Sequence, residues 1–105
     1  MPAAPKIGAR SNFNSFTTIK NNTKKLILET LNIEDLEPGE ILDDVSLLSG
    51  ENTITIDSID VLEVVVAIQK RFGVKIQDQN HARLIVNSVD TIAEFIHREH
   101  KKNTG

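Results

Sequence analysis

The chain has 105 residues, 39% of them hydrophobic, with four Phe and neither Trp nor Tyr, which suits one small domain around an aliphatic core rather than two. It has no cysteine, so a disulfide framework and a thiolate metal site are both excluded. Net charge is only −3 but unevenly spread: Leu26 to Gln69 holds eleven acids and no Lys or Arg, which argues against nucleic acid as a partner of this region and favours docking to basic protein surfaces.

Residues 1–16 are rich in Pro, Ala, Asn and Ser without a sustained apolar period, and read as a mobile leader from which Phe13 and Phe16 could dock on the domain. The leader lacks the apolar stretch of a signal peptide, and no run approaches the ~18 apolar residues of a membrane span. A soluble, cytoplasmic, monomeric protein without a membrane span is expected. From about Thr17 a helical stripe of Ile19, Thr23, Leu26, Ile27, Thr30 and Leu31 predicts a first helix ending near Asn32, with Lys24 and Lys25 on its polar side. The segment from Glu34 to Ile56 is too long for a featureless loop in a small domain, so Leu36, Ile41, Leu42, Val45, Leu47, Leu48, Ile54 and Ile56 should anchor it. Pro38-Gly39 and Ser49-Gly50-Glu51-Asn52 are turn signals, and Asp43-Asp44 is placed to cap a short helical turn at Val45 to Leu48.

A second helix is predicted from Ser58 to Phe72. Asp57 is a good N-cap, Asp60 sits at the third helical position, and Gly73 can close the helix in the left-handed conformation, with Lys70 and Arg71 complementing its negative end. Stepping about 100° per residue from Ser58 puts Val61, Val64, Val65, Ile68 and Phe72 on one broad core face. Ile59, Leu62 and Val66 form a second apolar arc beside Ser58, bordered by Glu63. If exposed, that arc implies a docking partner; the alternative is a helix buried nearly all round. Val74-Lys75-Ile76 is short and extended, Asp78 caps a brief third helix to about Leu84, and Ser88 caps a last helix with Val89, Ile92, Ala93 and Ile96 on one face. Residues 102–105 form a tail.

The run from Ile54 to Ile76, ITIDSIDVLEVVVAIQKRFGVKI, closely resembles the attachment segment of acyl carrier proteins, and the resemblance extends from Thr17 to Lys101. It implies an all-α, four-helix bundle of acyl-carrier type over residues 17–101, with a long helix 1–helix 2 loop and a short third helix. It also implies that a phosphopantetheinyl transferase modifies Ser58 from coenzyme A, giving a covalent 4'-phosphopantetheine. Acyl intermediates would ride on that cofactor as thioesters and be presented to acyl-transferring and synthase enzymes. Asp57, Asp60 and Glu63 are then the candidate electrostatic docking residues, with Ile59, Leu62 and Val66 as apolar contacts. Many bacterial fatty-acid carriers have glycine and alanine where Thr55 and Ile56 stand, and acids where this chain has Gln69, Lys70 and Arg71. Those departures look more like discrete carriers of specialised lipid, polyene or polyketide pathways than a housekeeping fatty-acid carrier.

Two other readings remain: an unmodified helical adaptor that binds proteins through helix two, and an aminoacyl or peptidyl carrier. An enzyme is not expected. Ser58 lacks a Gly-x-Ser-x-Gly elbow, His97 and His100 lie at the cationic end of the chain where they would complement a helix terminus or be solvated, and the acids lack calcium-loop spacing. No catalytic residue and no metal site are predicted.

Overall fold

The computed structural model describes residues 16–104, with side chains to residue 101. The chain is all-helical there, with α1 at Phe16–Thr30, a 3-10 turn at Pro38–Glu40, α2 at Ser58–Phe72, α3 at Gln79–Ile85 and α4 at Val89–Thr104. No strand occurs among the described residues. Phe13 and most of the leader lie outside the described residues, whereas Phe16 opens α1 and packs against the core, its ring edge-on to His97.

Helix α1 buries Ile19, Thr23, Leu26, Ile27 and Leu28, and packs against α2 and α4. It stops because Asn32 adopts φ 58°, which turns the chain so that Ile33 N–H donates to Leu28 O at 2.9 Å and Asn32 N–H to Glu29 O at 3.2 Å. This is the Schellman pattern, and it satisfies carbonyls that the helix end would otherwise leave bare. The predicted polar side is corrected at one position: Lys25 is exposed, but Lys24 is buried. The following loop folds back over α1 and sets the Asp43 carboxylate on Lys24 and, at 3.0 Å, on Lys20.

That loop is held by Ile41, Leu47, Ile54 and Ile56, all buried, with Leu36 and Leu48 partly so. Leu42, expected as an anchor, is exposed instead, and Val45 is only half-buried. Asp43-Asp44 caps no helix. The backbone near Val45 to Leu48 is irregular, and the short helical turn forms earlier, at Pro38–Glu40. The reason is a competing use of the polar groups. Buried Asn52, which the sequence marks as turn-forming, accepts from Leu42 N–H and Thr53 N–H and donates to Leu42 O and Val45 O. Asp43 O accepts from Asp90 N–H of α4 at 3.0 Å, and Leu47 N–H donates to Asn87 O at 2.6 Å. Backbone groups satisfied by one amide and by neighbouring segments have no need of a helix.

Helix α2 buries Val61, Val64, Val65 and Ile68, the predicted core face, while Phe72 is half-buried against the same core. Gly73 closes it at φ 67°, with its N–H donating to Gln69 O. Asp78 accepts from His81 N–H at 2.8 Å to start α3, which runs one residue beyond the predicted end. Ser88 accepts from Thr91 N–H at 3.1 Å to start α4, and Val89, Ile92, Ala93 and Ile96 are fully buried. Helix α3 packs on both α2 and α4, so it stands beside the start of α2.

Candidate functional site

Asp57 and Asp60 form a reciprocal capping box at the start of α2. Asp60 N–H donates to Asp57 Oδ1 at 2.8 Å, and Asp57 N–H donates to Asp60 Oδ2 at 3.3 Å. Two orphan donors of the helix end are thereby satisfied, and two carboxylates are fixed at its positive terminus. Ser58, first residue of the helix, is exposed between them.

The second apolar arc faces outward. Ile59 is 69% exposed and Leu62 and Val66 are each 48% exposed, so the alternative of a helix buried nearly all round is overturned. Glu63 and Asp57 are exposed and Asp60 is half-buried. All seven predicted site residues thus come from the first nine residues of one helix and its cap, and all line its open side.

The sequence reading missed Arg83. Its Nη2 lies 3.2 Å from Ser58 Oγ, donating across from α3. Two hollows meet at this contact. One of about 280 Å³ lies between α2 and α3 and is lined by Ser58, Val61, Leu62, Ala82 and Arg83 among others. The other, about 350 Å³, is lined by Leu48, Ile56, Asp57, Ser58, Val61 and Arg83. Twenty-five positions separate Arg83 from Ser58, so no local motif joins them. The available signal was that Arg83 is the one Lys or Arg in α3, Gln79–Ile85.

The three histidines have partners elsewhere in the fold. His81 packs edge-on to the Phe95 ring, His97 to Phe16, and His100 Nε2 donates to Phe72 O at 2.9 Å, thus complementing the end of α2. Among the described residues no cluster of three or more His, Asp or Glu is grouped to hold a metal ion. A further depression of about 390 Å³ at the end of α1, lined by residues from Lys25 to Pro38, does not include Ser58. No described helix is long and apolar enough to cross a membrane.

No protein-family model matches the chain. The acyl carrier protein of Buchnera aphidicola subsp. Schizaphis graminum (strain Sg) is 30% identical over 84 residues, which span 80% of this chain and 96% of that protein. The chain belongs to the acyl carrier protein family. The acyl carrier protein of Buchnera aphidicola subsp. Acyrthosiphon pisum (strain Tuc7) is 27% identical over 84 residues, 80% of this chain and 95% of that protein.

The acids of α2, Asp60 and Glu63, are confined to its first two turns. The later residues Gln69 and Arg71 brace the fold instead: Gln69 Oε1 accepts from Ile76 N–H at 3.0 Å, and Arg71 pairs with Glu29 of α1 at 2.9 Å. Asp43 is likewise taken up internally. Burial raises its carboxyl pKa, but the hydrogen bonds and charges of Lys24 and Lys20 outweigh this and hold it below the usual value. The Asp43 hydrogen bond in turn holds Lys20 above its usual value.

Proposed function

We propose that this protein, over residues 17–101, is a discrete carrier that makes no bond itself and receives a 4'-phosphopantetheine on Ser58 from a phosphopantetheinyl transferase using coenzyme A. The observation that carries the reading is the exposed Ser58 hydroxyl at the start of a 15-residue helix, fixed between two capping carboxylates and touched by a guanidinium. A phosphodiester fits these residues: the oxygen is accessible to a transferase, a cation stands beside it, and the hollows flanking it are lined partly by Leu48, Ile56, Val61 and Leu62. When bound, the arm supplies a terminal thiol on which an acyl group is held as a thioester; the cysteine-free chain offers no competing thiol.

The chain's own contribution is presentation. The capping box fixes the start of the helix that carries Ser58, and Ile59, Leu62 and Val66 offer an apolar contact to an incoming enzyme. Asp57, Asp60 and Glu63 attract a basic rim, which raises association rates at low salt. Acyl-transferring and synthase enzymes of fatty-acid, specialised-lipid or polyketide assembly are the partners proposed, and a monomer working in the cytoplasm suits that role. The short acidic edge favours the specialised pathways.

Mass spectrometry after incubation with coenzyme A and a broad-specificity transferase tests the reading. One phosphopantetheinyl group should be added to wild type and none to Ser58→Ala. An unmodified wild type would leave the helical adaptor as the better description, and loading by amino-acid-activating ligases would favour a peptidyl carrier.

A further inference from the structure

Arg83 donates to a neutral hydroxyl, although two carboxylates flank that hydroxyl. Three other cations are drawn to carboxylates: Lys20 to Asp43 and Asp90, Lys24 to Asp43, and Arg71 to Glu29. Arg83 forms no ion pair among the described residues. The capping box explains this, since each aspartate is turned toward the other's backbone N–H. A guanidinium held 3.2 Å from a hydroxyl oxygen, and not drawn to either acid, is suited to a stronger acceptor at the same point.

An ester on Ser58 would supply that acceptor. A phosphodiester is a monoanion, and at this position it would lie between Asp57 and Asp60, both repelling it. The helix end offers limited relief, because the capping box already takes its N–H groups at Asp57 and Asp60. Arg83 can offset the repulsion, and its planar fork can donate to two phosphate oxygens where it now donates to one hydroxyl.

We propose, resting on the attachment reading above, that Arg83 is a positioning residue that clamps the phosphodiester formed on Ser58, so that modification ties α3 to the start of α2 and sets the direction in which the arm leaves the surface. No bond is made or broken by Arg83. The arm's phosphate is held at the junction of the two hollows, both lined by Arg83 and Val61, and the rest of the arm leaves over one of them rather than swinging from a bare tether. The modified protein therefore differs from the unmodified one by an ionic link between two helices.

Wild type, Arg83→Gln and Arg83→Lys, each fully modified as judged by mass, are compared by 31P NMR and by amide hydrogen exchange, before and after modification. In wild type the 31P resonance should be displaced from that of Arg83→Gln and should move toward it as sodium chloride is raised, with Arg83→Lys between the two. Exchange at the α3 amides should slow on modification by about 2–5-fold in wild type, the size expected of an exposed ion pair, and should not change in Arg83→Gln. Taking the difference within each variant cancels any effect of the substitution on the unmodified fold. A common 31P position and no difference in α3 protection would overturn the clamp while leaving the carrier intact. Failure of wild type to be modified at all would instead overturn the attachment reading and the clamp with it.

Discussion

Asp43 and Asp60 come from the same cation-free acidic stretch, yet they serve opposite ends. Asp43 is drawn under the loop, bonded by Lys20 and Lys24 of α1, and its carbonyl accepts from α4. Asp60, half-buried like Asp43, sits beside an exposed serine and an apolar arc, and its contacts stay within the helix start. Charge density along a sequence therefore says little about which acids meet a partner. What separates the two is what takes up each carboxylate: α1 brings two cations to Asp43, whereas Asp60 is held by the Asp57 N–H although Arg83 stands at the neighbouring Ser58.

The largest test of this contrast is Asp43→Ala, which should destabilise the fold by about 2–3 kcal/mol at neutral pH, because it strands the buried ammonium of Lys24 beside that of Lys20. Urea unfolding with an unchanged m value would measure it, and a loss no larger than that of a surface substitution would erase the distinction between the two acids. The same contrast has a pH signature. The stabilisation from Asp43 is complete above its ordinary value of 3.8 and is lost as pH falls through its depressed folded value. That of Lys20 is complete below 10.5 and is lost as pH rises through its raised value. Urea midpoints followed across pH should fall more steeply at both extremes in wild type than in Asp43→Asn.

At the helix start the effects should be smaller. Asp57→Ala removes the N-cap bond to Asp60 N–H and should cost about 1 kcal/mol. Glu63→Lys, at an exposed position, should alter stability by less than about 0.5 kcal/mol. It should nevertheless slow association with a basic partner, most at low ionic strength, as stopped-flow rates against salt would show. An Asp57→Ala loss approaching that of Asp43→Ala would mean that the exposed acids also hold the fold together.

Much of the helical frame was legible because its signals are local. Asp57, Asp78 and Ser88 each cap the helix that follows them, Gly73 ends α2, and the two apolar faces of α2 separate by periodicity, although only the packing shows the second to be open. The loop was less legible because its conformation depends on groups that meet only after folding. Asp43 looks like a cap until Lys24 is beside it, and Leu42 looks like an anchor until Asn52 has bonded both its N–H and its carbonyl. Arg83 is the same case at the site itself: it reaches Ser58 through the packing of α3 on α2, a contact that neither segment encodes alone.

Asn52 also sets a limit on chemical ageing. Its Nδ2 donates to two carbonyls, Leu42 O at 2.9 Å and Val45 O at 2.9 Å. Hydrolysis of that amide to a carboxylate would exchange two attractions for two repulsions in a nearly sealed space, without any change in side-chain shape. A stored sample in which Asn52 becomes aspartate should lose its loop before its helices, and isosteric Asn52→Asp reproduces that product in one step.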